Sequence, residues 1–146
     1  MKKQLQFVTA LLFTTVSLFS QVNVTGGSSA TYSNVNAAFA AINAGTHFGA
    51  ITIDITANTL DPATPTPLVA SCQGAENYTT IVLRPTVTST ISGVMLTGRG
   101  VLELDGVDNF TINGDIIGGP INRDLTITND AAPTVAATAA IRLIGR

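Results

Sequence analysis

The chain is poor in the residues that usually carry chemistry or lock a small fold. Its 146 residues include one cysteine, one histidine and no tryptophan, and only 11% are charged. A single cysteine, Cys72, excludes an intrachain disulfide, so stability has to come from burial and backbone pairing. The lone His47 has no soft partner except Cys72, which leaves a zinc site short of ligands. His47 therefore reads as a loop histidine and Cys72 as a buried or loop thiol. Aromatic residues make up 5% of the chain, too few for a broad platform on which sugar rings stack, and Tyr78 is the best placed of them for a contact.

Lysine is confined to the start. Lys2 and Lys3 precede an apolar run from Phe7 to Phe19, interrupted by Thr9, Thr14, Thr15 and Ser17 and closed by Ser20 and Gln21. A charged start, a short apolar centre and a small residue are the parts of a secretory signal peptide, expected over residues 1–20. A membrane anchor needs roughly 20 apolar residues, which this run does not supply. Processing removes both lysines, so five of the seven basic residues remain against nine acids, a formal charge of −4. A lysine-free chain with no basic run lacks the clustered cations that neutralise phosphates, which excludes nucleic acid as a partner. The expected location is secreted or at the cell surface, with no membrane span after signal removal.

What is present is strand and turn grammar. Gln21 to Ala30, small and polar with Gly26-Gly27, reads as an extended leader. From Ser33 to Gly45 the residues Val35, Ala38, Phe39 and Ile42 fall on one stripe of a helix, with Ser33 as N-cap and Gly45 as stop. The period then drops to two at Ile51, Ile53 and Ile55, the mark of a half-buried strand. Asp61 to Tyr78, with Pro62, Pro65 and Pro67, is a long irregular excursion. Within it Leu68 to Cys72 imitates a lipoprotein cleavage box, but far from any apolar leader. Strand character returns at Ile81 to Leu83 and stops at Pro85.

A repeat is visible in the second half. Ile81 and Leu83 recur as Leu102 and Leu104 and again as Leu125 and Ile127, while Ile91 is followed by Ile112 and Val135 at the same offsets. Two apolar series in step suggest stacked coils. The predicted fold is all-β, a right-handed parallel β-helix (solenoid) with a short N-terminal capping α-helix; the alternative is an antiparallel β-sandwich with Asp105-Gly106 and Asn113-Gly114 as hairpin turns. The solenoid register places Arg84 over Asp105 as an exposed ion pair.

The stretch from Tyr32 to Gly45 and the strand after it resemble the N-terminal cap and first strand of pectin-lyase-like right-handed parallel β-helix proteins. Leu102 to Gly114, Asp124 to Asn129 and Ile141 to Ile144 are similar to coils of large, adhesin-like exported surface proteins of Gram-negative bacteria. That resemblance implies a non-enzymatic structural or adhesion module, with residues 31–146 as the cap and first coils. Because Ile141 to Ile144 opens a strand with nothing after it, the C-terminal edge is expected to be covered by further coils of a longer protein. Expected partners are extracellular polysaccharide or surface components. The alternative is the first part of a carbohydrate-active β-helix enzyme, a polysaccharide lyase or glycoside hydrolase whose catalytic coils lie beyond residue 146. A glycosidase needs two carboxylates facing one bond, and Glu103, Asp105, Asp108, Asp115 and Asp124 all sit beside turns or at strand edges, where acids serve corners and solubility. A lyase needs a base and an acidic calcium loop, and neither pattern is present. No catalytic, cofactor-binding or metal residue is assigned, and no cofactor is expected. Asn109 reads as a corner residue whose amide satisfies turn backbone; with Asn23 and Asn77 it also opens an Asn-x-Thr sequon, read as incidental.

Overall fold

The computed structural model describes residues 20–145. The expected leader peptide, Ser20 apart, and Arg146 lie outside the described residues. Within them the chain runs through eleven strands and one helix: β1 (Val22–Gly26), β2 (Ser28–Tyr32), α1 (Val35–Asn43), β3 (Phe48–Ile55), β4 (Thr59–Asp61), β5 (Leu68–Val69), β6 (Asn77–Pro85), β7 (Ser89–Gly93), β8 (Gly100–Asp105), β9 (Phe110–Ile112), β10 (Leu125–Asn129) and β11 (Ala139–Ile144).

The helix forms where the 3.6-residue stripe lies, and Val35, Ala38, Phe39 and Ile42 are its buried face. Its N-cap is Asn34 rather than Ser33: Asn34 is extended, and its Oδ1 accepts from the Ala37 N–H at 2.9 Å. An amide oxygen there satisfies one of the helix's orphan donors. Phe39 and Ile42 are fully buried, each worth about 1.5–3 kcal/mol of apolar transfer, and Phe39 meets Phe110 edge to face at 6.2 Å.

Three sheets share the core. The first is mixed, in the order β2-β1-β3-β6-β9; the second is β10-β7-β4 and the third β11-β8-β5. β1 runs antiparallel to β2 and β3, and the remaining pairs are parallel. Gln21 to Ala30 is thus a hairpin arm rather than a leader: Val22 stands opposite Ile55 and Val24 opposite Ile53, and both valines are buried. The irregular excursion contains β5, where Leu68 pairs with Leu104.

The predicted solenoid is overturned. The chain forms several open sheets, one mixed and two parallel, and none closes into a right-handed β-helix. The alternative sandwich fails as well, because outside β1 the described strands pair in parallel. The physical reason lies in the ladders. Ile81 pairs with Phe110 and Leu83 with Ile112, not with Leu102 and Leu104. Leu102 pairs with Ile141, and Ile127 with Ile91. The three recurring apolar pairs belong to three different sheets, so their even spacing measures the length of strand plus corner and not a stacking distance.

Helix α1 closes off one set of sheet edges. Asn43 Nδ2 donates to Pro67 O at 2.8 Å, and Asn43 Oδ1 accepts from Val69 N at 3.2 Å. Asn34 Nδ2 donates to Leu60 O at 3.3 Å, and Asn36 Oδ1 accepts from Thr66 N. Side-chain amides therefore occupy backbone groups along β4, β5 and the segment between them, which otherwise are a template for stray strand pairing.

Candidate functional site

Charged side chains are scarce, so the places where they are buried stand out. The most developed is centred on Glu103 in β8, 1% exposed. Arg99 grips its carboxylate with both edges, Nε to Oε1 at 3.0 Å and Nη2 to Oε2 at 2.8 Å. The Gly100 N–H donates to Oε1 at 3.0 Å, and Arg142 Nη1, from β11, donates to the same oxygen at 3.3 Å. Arg99 Nη2 also donates to Pro65 O. Parallel pairing sets Arg142 beside Glu103, and Gly100 lets β11 come close, since a Cβ there would lie 2.7 Å from Arg142 Cβ. Glu103 is thus no exposed edge acid. The cluster holds two guanidiniums against one carboxylate, an excess of one positive charge, with the Arg142 side chain 42% exposed.

The other buried polar groups hold backbone. Asp61, 3% exposed, sits at the start of α1, where its Oδ1 accepts from Asn36 N at 2.6 Å and its Oδ2 from Thr59 Oγ1 at 3.4 Å. Burial pushes its carboxyl up to about 6, against the pull of those hydrogen bonds. His47 lies in the loop between α1 and β3, as expected, and is fully buried there. Its Nδ1 lies 3.1 Å from Ser28 O, a pure acceptor, so Nδ1 carries the hydrogen and Nε2 accepts from the Tyr32 hydroxyl at 2.7 Å. Ser28 Oγ donates to Thr46 O at 2.8 Å. With both ring nitrogens and the serine proton engaged, this Ser–His–Tyr group clasps the β1–β2 hairpin to the turn before β3 and leaves no base for a nucleophile. Burial raises the Tyr32 hydroxyl above its ordinary value.

The loop before β6 is built in the same way. Glu76, 3% exposed, accepts from Gln73 N at 2.6 Å, and Tyr78, expected to be available for contact, is buried with its hydroxyl donating to Val69 O at 2.5 Å. Burial, with the charges of Glu76 and Asp108, pushes Tyr78 up to about 12. Cys72 is exposed at φ 64° in this turn. Asp124 Oδ2 accepts from Ile116 N at 3.1 Å and Oδ1 from Thr88 Oγ1 at 3.2 Å, closing the loop after β9. Asn109, at φ 54°, donates from Nδ2 to Thr79 O at 3.2 Å.

Arg84 pairs with Asp54, Nε to Oδ1 at 2.6 Å, and not with Asp105, because β6 lies beside β3. A cleft of about 270 Å³ opens beside it, lined by Arg84, Pro85, Thr86, Ile116 and Ile117. Ordinary ligand pockets start near ~300 Å³ and bring several polar groups together. Thr86 Oγ1 already donates to Ile55 O, so the cleft offers little beyond one ion-paired guanidinium.

Among the described residues no three His, Cys, Asp or Glu side chains converge as metal ligands, and no helix is long and apolar enough to cross a membrane. The five acids considered from sequence do not meet: Glu103 is locked in its arginines, Asp124 holds its loop, and Asp108 lies exposed at a corner. The signal for the arginine cluster was present as Arg99-x-x-x-Glu103, but Arg142 joins it only through strand pairing. Comparison with family models, with curated proteins and with solved structures found no match for this chain.

Proposed function

We propose that this chain is a non-enzymatic structural or adhesion module of an exported cell-surface protein, engaging extracellular polysaccharide or other surface components. The observation that carries the reading is the use made of its buried polar groups. Asp61 and Glu76 each accept from backbone N–H groups, Asp124 does so from a loop, and His47 clasps a hairpin. Groups committed to backbone in this way rigidify a scaffold and are poorly placed to exchange protons with a substrate. The apolar run from Phe7 to Phe19 after Lys2 and Lys3 supports export. The test is expression of the whole chain in a Gram-negative host, followed by fractionation and N-terminal sequencing. The expected product lies outside the inner membrane and begins near Gln21, and the purified chain releases no sugar from a polysaccharide panel. A cytosolic product retaining residue 1, or turnover that survives repurification, refutes the proposal.

A further inference from the structure

We propose that Asn113 is a modification site: its side-chain amide is lost to attack by the Gly114 nitrogen, leaving an aspartyl or isoaspartyl carboxylate where β9 runs into its loop. Asn113 is the one asparagine of the chain that precedes a glycine. Without a Cβ the following nitrogen is uncrowded, and a Cβ built on Gly114 would meet nothing within 4 Å, in an exposed position that water reaches. The outer ends of the pair are anchored. Asn113 N donates to Leu83 O at 2.9 Å, and Gly114 O accepts from Asp124 N at 2.9 Å and Leu125 N at 3.1 Å. Between these anchors, among the described residues, neither the Gly114 N–H nor Asn113 Nδ2 has an acceptor. Asn113 Oδ1 accepts from the Asp115 N–H at 3.0 Å. That donor draws electrons from Cγ and stays in place as Oδ1 gains negative charge, the part an oxyanion donor plays.

The step balances with water as the only co-reactant. Hydroxide or water takes the Gly114 N–H proton, the nitrogen bonds to Asn113 Cγ, and the Cγ–Nδ2 bond breaks with Nδ2 leaving as ammonia. Water then opens the resulting ring. Breaking the new N–Cγ bond gives aspartate; breaking the original peptide bond gives isoaspartate, whose main chain runs through the former side chain. Nothing is oxidised or reduced. Asp105-Gly106 is the contrasting corner, because there the Gly106 N–H is engaged, donating to Ile144 O at 3.0 Å, and the side chain is a carboxylate, a poor electrophile. Asn113 lies one residue past the Leu83–Ile112 pair, so the new charge arises next to Arg84 on β6.

The test incubates the purified full chain in neutral and mildly alkaline buffer and follows each asparagine by proteolytic digestion and mass spectrometry, with isoaspartyl methyltransferase labelling for the rearranged product. Asn113 is expected to deamidate at least tenfold faster than any other asparagine of the chain, and faster at the higher pH, because the attacking nitrogen must lose its proton. Gly114→Val, whose side chain has open space, should slow the reaction at least tenfold while the melting curve stays near wild type. A free peptide of residues 109–118 separates the fold's contribution from that of the dipeptide. The folded chain should react no more than threefold slower than this peptide. A larger slowing would show that the fold protects Asn113 and overturns the proposal, as does an Asn113 rate that misses the tenfold margin over the other asparagines or withstands Gly114→Val.

Discussion

Replacing Glu103 separates the buried-cluster geometry from an exposed edge acid more sharply than any other single change. Reading the sequence alone, Glu103→Lys costs little, because the residue alternates with buried leucines and so faces solvent. In the structure its carboxylate is 1% exposed and takes hydrogen bonds from Arg99, Gly100 and Arg142. Breaking a buried ion pair by removing one partner costs about 3–5 kcal/mol. The arginine side chains here are 29% and 42% exposed and recover water when released, which discounts that figure. Glu103→Gln keeps an oxygen for Gly100 N and loses the charge, so about 2 kcal/mol is expected. Glu103→Lys sets a third cation against two guanidiniums and is expected to cost about 4 kcal/mol or more. For a domain of this size, 1 kcal/mol corresponds to roughly 3–5 °C in Tm, so the two variants melt about 6–10 °C and at least about 12 °C below wild type. Urea unfolding followed by circular dichroism measures both, with Asp130→Lys, at an exposed position, as the neutral control. Glu103→Lys within 1 kcal/mol of wild type, at an unchanged m-value, would refute the buried cluster.

Three further outcomes follow from single side chains. The Asp61 carboxyl titrates near 6 when folded and near 3.8 when unfolded, so the folded state binds the extra proton between those values. The resulting stabilisation, about 3 kcal/mol, is fully present below pH 3.8 and is lost as pH rises through about 6. Asp61→Asn keeps an acceptor for Asn36 N and removes the titration, so the difference between variant and wild-type stability, measured from pH 4 to pH 7.5, should shift by that amount; a flat difference contradicts the burial. Asn43→Ala removes both amide bonds to the β5 edge and should cost about 1–2 kcal/mol, with faster amide exchange at Val69; unchanged exchange there would show that the edge is held otherwise. Ser89 Oγ is buried without a partner among the described residues, so Ser89→Ala is expected to be neutral or to stabilise by about 1 kcal/mol, and a loss of more than 1 kcal/mol in chemical denaturation would reveal a missed hydrogen bond.

Local structure was legible and its assembly was not. The stripe Val35, Ala38, Phe39, Ile42 marked α1, and the isoleucines of β3 marked a strand, because both periods are written in neighbouring residues. The hairpin arm was missed although Val22 and Val24 alternate before Gly26-Gly27, a pattern that fits a strand and turn. Sheet membership depends on how long each corner is, and corners of similar length made Ile81, Leu102 and Leu125 look like one column when they lie in three sheets. The charged contacts went wrong for the same reason: Arg84 finds Asp54, and Arg142 finds Glu103, only once the parallel partners are known. Burial of His47 depends on the hairpin that covers it, so nothing in its own neighbourhood announced it.

Cys72 gives the most direct test of the proposed surface role, because it is the chain's one cysteine and it is exposed. Intact cells producing the whole chain are treated with a membrane-impermeant maleimide, and labelling is compared before and after lysis. The expected result is full labelling of Cys72 on intact cells, with none in a Cys72→Ser control. Labelling that appears only after lysis, on a chain that still carries its first twenty residues, would contradict the assignment of this chain to the cell surface.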